Sequence, residues 1–356
     1  MNERLFLETK SDERIVKQVL QILLRKSQTF YDIVHKQDAS IPELYSILEK
    51  LEKSSIISKT GGKIKLTKEG KMLCKEMGII AALDTKCKFC DGTGIMLDKY
   101  FKKLLMGYEK LTKDRPKALA KYDQGYISVQ GIVTRIAFMH ERGELSNSKI
   151  FVCGDDDLMS IALGLTQLPK KIVAIDIDKR LINFINKTSE KLGLNVEAFE
   201  YDLREKPDNR IRKSFDVFVT DPVETIPGIK IFLSRCAESL QGKGCSGYFG
   251  LTALEASRKK WFHIEEMLLK MGFVITDIKR KFNVYPFEER NHKSFESSFR
   301  ISKKLSQKGN CDWYHSSFFR VEAISEPKPL IKGKVNLTKD FYFDDEAWAT
   351  SEELGK

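Results

Sequence analysis

From Asp12 to Lys26 apolar side chains return every three or four positions, with Ile15, Val19, Ile22 and Leu23 on one face, and this period predicts an amphipathic helix. Gln28 to His35 reads as a second, shorter helix. Ile41-Pro42-Glu43 opens a third, with proline in the first turn and Leu44, Ile47, Leu48 and Leu51 as its apolar face. Ile56 to Lys59, a Gly61-Gly62 turn and Lys63 to Thr67 then predict a two-stranded hairpin, followed by a helix from Lys68 to Met77. Helices leading into a hairpin predict a winged-helix-like domain over residues 1–80.

Residues 81–120 read as a connector, helical from 99 and interrupted at Pro116. After the helix Val129 to Arg142 the pattern becomes a regular alternation. Strands are predicted at Lys149–Cys153, Lys171–Ile175, Asn195–Tyr201, Phe215–Thr220 and Ser246–Leu251. Helices are predicted at Met159–Gln167, Lys179–Lys191, Ile229–Leu240 and Ala256–Met271. This alternation predicts an α/β fold, a doubly wound Rossmann-like sheet over residues 121–330. Phe273–Ile278 and Phe318–Ile324 would be its antiparallel edge strands. Residues 331–356 read as a flexible tail in which acids mix with Phe341, Tyr342, Phe343 and Trp348.

Composition changes this picture only in places. The 356 residues carry 61 Lys plus Arg against 50 Asp plus Glu, a net charge of +11 that permits nucleic-acid binding. Residues 1–80, however, hold 15 basic against 11 acidic side chains. The helix that would read DNA bears Glu43, Glu49 and Glu52 beside Lys50 and Lys53. Packing or dimerisation is therefore the expectation for the small domain, with DNA the less favoured partner. Seven cysteines without disulfide-like spacing fit a reducing compartment. The start MNERLFLETK has no apolar signal core, and no stretch approaches the ~18 apolar residues of a membrane span, so a cytoplasmic protein is expected. Cys87 and Cys90 have the spacing of half a zinc site, but no second pair accompanies them, and zinc there is the less favoured reading.

The chemistry concentrates at strand ends. Gly154-Asp155-Asp156-Asp157 follows the first strand of the alternation, at the turn that faces the ligand crevice of such a sheet. One aspartate would cap the next helix, but three in a row repel one another and raise each other's pKa, which points to a cationic ligand. Asp176 lies 22 residues beyond Gly154, where nucleoside-binding folds place the acid that holds ribose, with Asp178 as the alternate. Asp202, after the third strand, either accepts the adenine amine or serves a turn. Thr220-Asp221-Pro222-Val223-Glu224-Thr225 resembles the DPPY-type motif of amino-group methyltransferases. Val223 and Glu224 replace its proline and tyrosine, so the aromatic platform for a base gives way to a second carboxylate suited to an amine. Carboxylates at the glycine turn would also repel the amino-acid end of S-adenosylmethionine and complement its decarboxylated, cationic form.

With GDDDL, VAIDID, DPVET, the YDQGY segment, the winged-helix-like start and CDWYHSSFFRVE near the end, the chain resembles the archaeal and thermophilic branched-chain polyamine synthases over nearly its whole length. The resemblance implies transfer of aminopropyl groups from decarboxylated S-adenosylmethionine to the internal secondary amine of spermidine, twice, with release of methylthioadenosine. It also implies a homodimer. On this reading Asp157 is the acceptor-side acid, with Asp155 and Asp156 holding the turn and the donor's ammonium beside Gly154. Asp176 and Asp202 hold ribose and adenine. Asp221 and Glu224 line the polyamine channel, with Tyr122 and Gln124 at its mouth. Two rival readings are a methyltransferase using intact S-adenosylmethionine and a winged-helix DNA-binding regulator.

Overall fold

The computed structural model describes residues 9–336 and 339–351. Residues 1–8, 337, 338 and the last five residues of the expected tail lie outside them. Three helices open the chain, α1 (Lys10–Arg25), α2 (Phe30–Lys36) and α3 (Ile41–Lys53). Thr9 with Asp12 and Thr29 with Asp32 form capping boxes that satisfy the first N–H groups of α1 and α2. The hairpin β1 (Ile57–Thr60) and β2 (Lys63–Leu66) and then α4 (Lys68–Glu76) follow. Gln28 exchanges two backbone hydrogen bonds with Ile64, which completes a winged-helix arrangement.

This domain does not stand apart. The N-terminus of α3 is docked through Ile41 N, which donates to Leu254 O at 2.8 Å, and Tyr45 packs against Trp348 with ring centroids 5.6 Å apart. Lys281 donates to Gln37 O at 2.8 Å and His35 O at 3.1 Å, a cation on the open carbonyls of the α2 C-terminus. One apolar cluster runs from the α1–α3 core through Leu254, Trp313 and Trp348.

In the connector α5 (Lys99–Thr112) packs on α6 (Val129–Glu141). The main sheet then forms in chain order: β3 (Lys149–Cys153), α7 (Met159–Leu165), β4 (Lys171–Asp176), α8 (Lys179–Leu192), β5 (Val196–Glu200), β6 (Val217–Thr220), α9 (Ile226–Ser239), β7 (Ser246–Thr252), α10 (Arg258–Met271), β8 (Phe273–Val284), α11 (Arg300–Leu305) and β9 (His315–Ala323). The spatial order is β5-β4-β3-β6-β7-β9-β8; β9 runs antiparallel to both its neighbours and the other pairings are parallel. The predicted α/β fold is found; of the two strands expected at its antiparallel edge, β8 forms the edge and β9 lies inside it, between β7 and β8. Helix α9 starts earlier than its apolar pattern implies because the Thr225 hydroxyl caps Gly228 N and Pro227 occupies the first turn. The chain leaves β3 on one side for β4 and returns on the other as β6, so the ligand crevice opens at the carboxyl ends of these two strands.

The segment expected as a flexible tail is packed over residues 339–351. Phe341, Ala347, Trp348 and Ala349 are buried, Glu346 accepts from Ser257 N at 2.6 Å, and Thr225 Oγ donates to Phe341 O at 2.6 Å. The strap lies across the crevice. No helix among the described residues is long and apolar enough to cross a membrane.

Candidate active site

Beyond Cys153 the chain turns at Gly154, whose φ of +76° a side chain would disfavour, and the three aspartates part company. Asp155, 1 % exposed, turns inward and accepts from Ser160 N at 3.2 Å and from the Ser160 hydroxyl. Asp157, 4 % exposed, accepts from Ile127 N at 2.6 Å and borders neither of the cavities at the strand ends. Asp156 alone of the three is partly exposed; its Oδ2 takes the Gly125 N–H at 2.9 Å, and it borders both cavities. Of the three, Asp156 borders the open space, whereas Asp155 and Asp157, the latter expected as the acceptor-side acid, are buried beside it. Each of the three accepts a different backbone N–H, Asp155 that of Ser160, Asp156 that of Gly125 and Asp157 that of Ile127.

The larger cavity, about 410 Å³, lies between the ends of β3, β4 and β5 and is walled by Tyr122, Gly154, Asp176, Asp202, Phe232 and Phe341. A smaller one, about 110 Å³, lies deeper and is walled by Glu224, Glu255, Tyr285, His292, Tyr314 and Thr350. Asp123, Gln124, Asp156, Asp221 and Tyr342 border both, so the two compartments meet at a rim of three carboxylates.

Asp176 ends β4 with its carboxylate accepting from Asp155 N at 2.9 Å and Asp178 N at 2.7 Å, which leaves its remaining lone pairs toward the larger cavity. Asp202 also borders that cavity but is forked by Arg204, Nε to Oδ2 at 2.8 Å and Nη2 to Oδ2 at 2.5 Å. Gln124 is fixed at both ends, accepting from Leu119 N at 2.9 Å and donating to Asp178 Oδ2 at 3.0 Å. Asp221 is gripped by Arg135 from behind. Glu224 accepts from Thr252 N at 2.6 Å on the wall of the inner compartment.

Burial sets the protonation of this rim. It pushes Asp123 up to about 8, with Glu255 and Asp156 adding to the effect, and Asp156 up to about 7, with Asp176 adding. Burial likewise holds Asp155 and Glu224 at about 8 and Asp157 well above the usual carboxylate range. A pocket of carboxyls that hold their protons until a cation arrives fits a ligand rich in ammonium groups.

The strand-end rule that found Asp176, Asp202 and Asp221 also applies to Glu255, just beyond β7, which that reading passed over. Its carboxylate accepts from Tyr314 Oη at 2.8 Å and Ala349 N at 2.6 Å, tying the inner compartment to the strap. Asp123 was passed over too; it stands in the YDQGY segment at φ +55°, its N–H donating to Ala120 O at 3.0 Å and its carboxylate without a hydrogen-bond or ion-pair partner among the described residues. Among those residues no group of three or more His, Cys, Asp or Glu is arranged to hold a metal ion, at Cys87 and Cys90 or elsewhere.

The strap yields a first prediction. Glu346→Ala removes the acceptor of Ser257 N and Oγ outside the cavities, and losing such hydrogen bonds costs roughly 1–2 kcal/mol. The expected result in calorimetric melting is a midpoint lowered by about 2–4 °C. An unchanged midpoint would show that Glu346 does not hold the strap.

Fold and site together define the class: a doubly wound α/β protein with a carboxylate-lined crevice at its strand ends. Comparison with known proteins carries this further. Residues 103–349 match the model of the branched-chain polyamine synthase A C-terminal domain. The chain is 36 % identical over 341 residues to an N(4)-bis(aminopropyl)spermidine synthase of Thermococcus kodakarensis, covering 95 % of each chain. It is 36 % identical over 342 residues to the Methanocaldococcus jannaschii protein of the same name, again covering 95 % of each. The crystal structure of the Thermus thermophilus branched-chain polyamine synthase, in complex with N4-aminopropylspermidine and 5'-methylthioadenosine, superposes with a TM-score of 0.84 at 29 % identity, covering 94 % of this chain and 93 % of that one. The chain belongs to the branched-chain polyamine synthase family.

Proposed function

We propose that this aminopropyltransferase moves aminopropyl groups from decarboxylated S-adenosylmethionine to the internal amine of spermidine, giving the N(4)-aminopropyl and then the N(4)-bis(aminopropyl) product. The observation that carries the reading is the rim of Asp123, Asp156 and Asp221 shared by a larger, nucleoside-sized compartment and a smaller acidic one. The donor nucleoside occupies the larger compartment, with Asp176 toward ribose and Asp202 toward the adenine edge, and its aminopropyl arm reaches the rim. The polyamine lies in the inner compartment along Glu224 and Glu255.

The amine lone pair attacks the propyl carbon next to the sulfonium. As the C–N bond forms the C–S bond breaks, its electrons pass to sulfur, and neutral methylthioadenosine leaves. The attacking nitrogen gives up one proton, which Asp156 is placed to take. The leaving group needs no assistance, so the work of the site is to hold two mutually repelling cations in line. A cytoplasmic setting fits the seven cysteines, all unpaired. A homodimer is proposed on the family resemblance, and sedimentation equilibrium tests it.

The defining experiment supplies decarboxylated S-adenosylmethionine and spermidine and identifies products by mass and by the position of branching. Transfer of methyl groups from intact S-adenosylmethionine, without aminopropyl transfer, would replace this reading with the methyltransferase one.

The raised carboxyls make a second test. Asp123, Asp155, Asp156 and Glu224 bind protons more tightly folded than unfolded, their values rising from 3.8 or 4.5 to about 7 or 8. Their contribution to stability is therefore complete below about pH 4 and is lost as pH rises through 7 to 8. The melting temperature of the free protein is expected to fall from pH 6 to 8.5, while the increment given by spermidine grows. An increment that shrinks over that interval would count against a polyamine bound by these acids.

A further inference from the structure

Arg135 sits in the middle of α6 with 0 % exposure, among Ile132, Val133, Ile136 and Phe138, and borders neither cavity. A cation at such depth is tolerated only when paired. Its guanidinium grips both oxygens of Asp221, Nη1 to Oδ2 at 2.5 Å and Nη2 to Oδ1 at 2.8 Å. Nε donates to Asn283 Oδ1 at 2.9 Å, the Asn283 amide donates to Ser316 Oγ at 3.0 Å, and the Phe318 ring centroid lies 4.4 Å from Cζ. Gly250 of β7 leaves the space, since a Cβ there would fall 3.2 Å from Arg135 Nη2. Side chains or space from α6, β7, β8 and β9 are thus committed to one carboxylate at the end of β6.

We propose that Arg135 is a positioning residue for the transfer: acting through Asp221, it fixes one carboxylate at the rim between the donor and acceptor compartments. This rests on the reading of Asp221 as an amine-facing acid. A two-pronged fork uses one lone pair on each oxygen and leaves the outward pair in a fixed plane for the substrate N–H. With its charge met from behind, Asp221 orients the amine, while Asp123 and Asp156, which have no such partner, supply the attraction. A lysine at 135 would keep the charge and lose the plane.

The test compares Arg135→Lys, Asp221→Asn and the double variant, with kcat, spermidine KM, donor Kd and melting temperature recorded for each. Arg135→Lys is expected to lower kcat by about 10- to 100-fold, as misplacement of a reacting group does, with spermidine KM and donor Kd within about threefold of the parent. The double variant should be no slower than Asp221→Asn, the mark of one residue acting through another. If Arg135→Lys fails to fold, Asn283→Ala loosens the same fork through Nε, and kcat should fall there by a smaller factor. Parental kcat in Arg135→Lys or in Asn283→Ala, with Asp221→Asn slow, overturns the positioning role alone. So do losses that multiply in the double variant. Parental turnover in Asp221→Asn would instead overturn the reading of Asp221 itself.

Discussion

Asp156→Asn is expected to lower kcat by ~100-fold or more, the usual loss on removing a positioned proton acceptor. The amide keeps the shape and still accepts the Gly125 N–H, so the fold and the segment at 125 should stay in place. Donor binding through Asp176 and Asp202 should persist in calorimetry. Asp157→Asn is the informative contrast. Its Oδ1 can go on accepting from Ile127 N, and the residue borders neither cavity, so turnover should fall by no more than about tenfold. A reversed order, with Asp157→Asn crippled and Asp156→Asn active at saturating spermidine, would return the acceptor role to Asp157.

Gly250→Ala is expected to remove nearly all activity without any change in charge. A Cβ at this β7 position would stand 1.8 Å from Asp221 Oδ1, so the carboxylate must leave its place and the Arg135 fork must open. Displacing a reacting group by about 1 Å costs on the order of 100-fold in rate, and overpacking adds about 1–3 kcal/mol of instability. Calorimetric melting together with kcat separates the two losses. Gly247→Ala serves as a reference, because its Cβ would meet the buried Phe218 ring at 2.0 Å and so should destabilise while leaving Asp221 alone. Equal kcat in the folded fractions of both variants would show that the position of Asp221 does not matter.

Much of the site was legible because strand ends announce themselves. Asp176, Asp202 and Asp221 each follow a predicted strand, and all three border the larger cavity, as does Gly154. Glu255 obeys the same rule and could have been read in advance. Arg135 offered a weaker signal, a lone charge inside the apolar run Ile132 to Met139. The rings Phe341, Tyr342, Phe343 and Trp348 among the acids argued against a plain solvated end, but nothing local said what the strap packs on. What packs it is remote: Glu346 is held by Ser257, 89 positions away, and Ala349 by Glu255, 94 positions away.

Local periodicity by itself determined the small helical domain with its hairpin, the alternating sheet and the turn at which carboxylates gather, because period and turn chemistry act between neighbours in the chain. The facing of each aspartate in Gly154-Asp155-Asp156-Asp157 was decided only by tertiary structure. Asp155 is claimed by Ser160 in the following helix, Asp157 by the Ile127 N–H of a segment 30 positions earlier, and Asp156, which accepts from Gly125 N of that segment, borders the rim. Adjacent residues of one type are chemically equivalent until the folded chain brings different donors to each, and the donors that do so come from α7 and from the segment before α6.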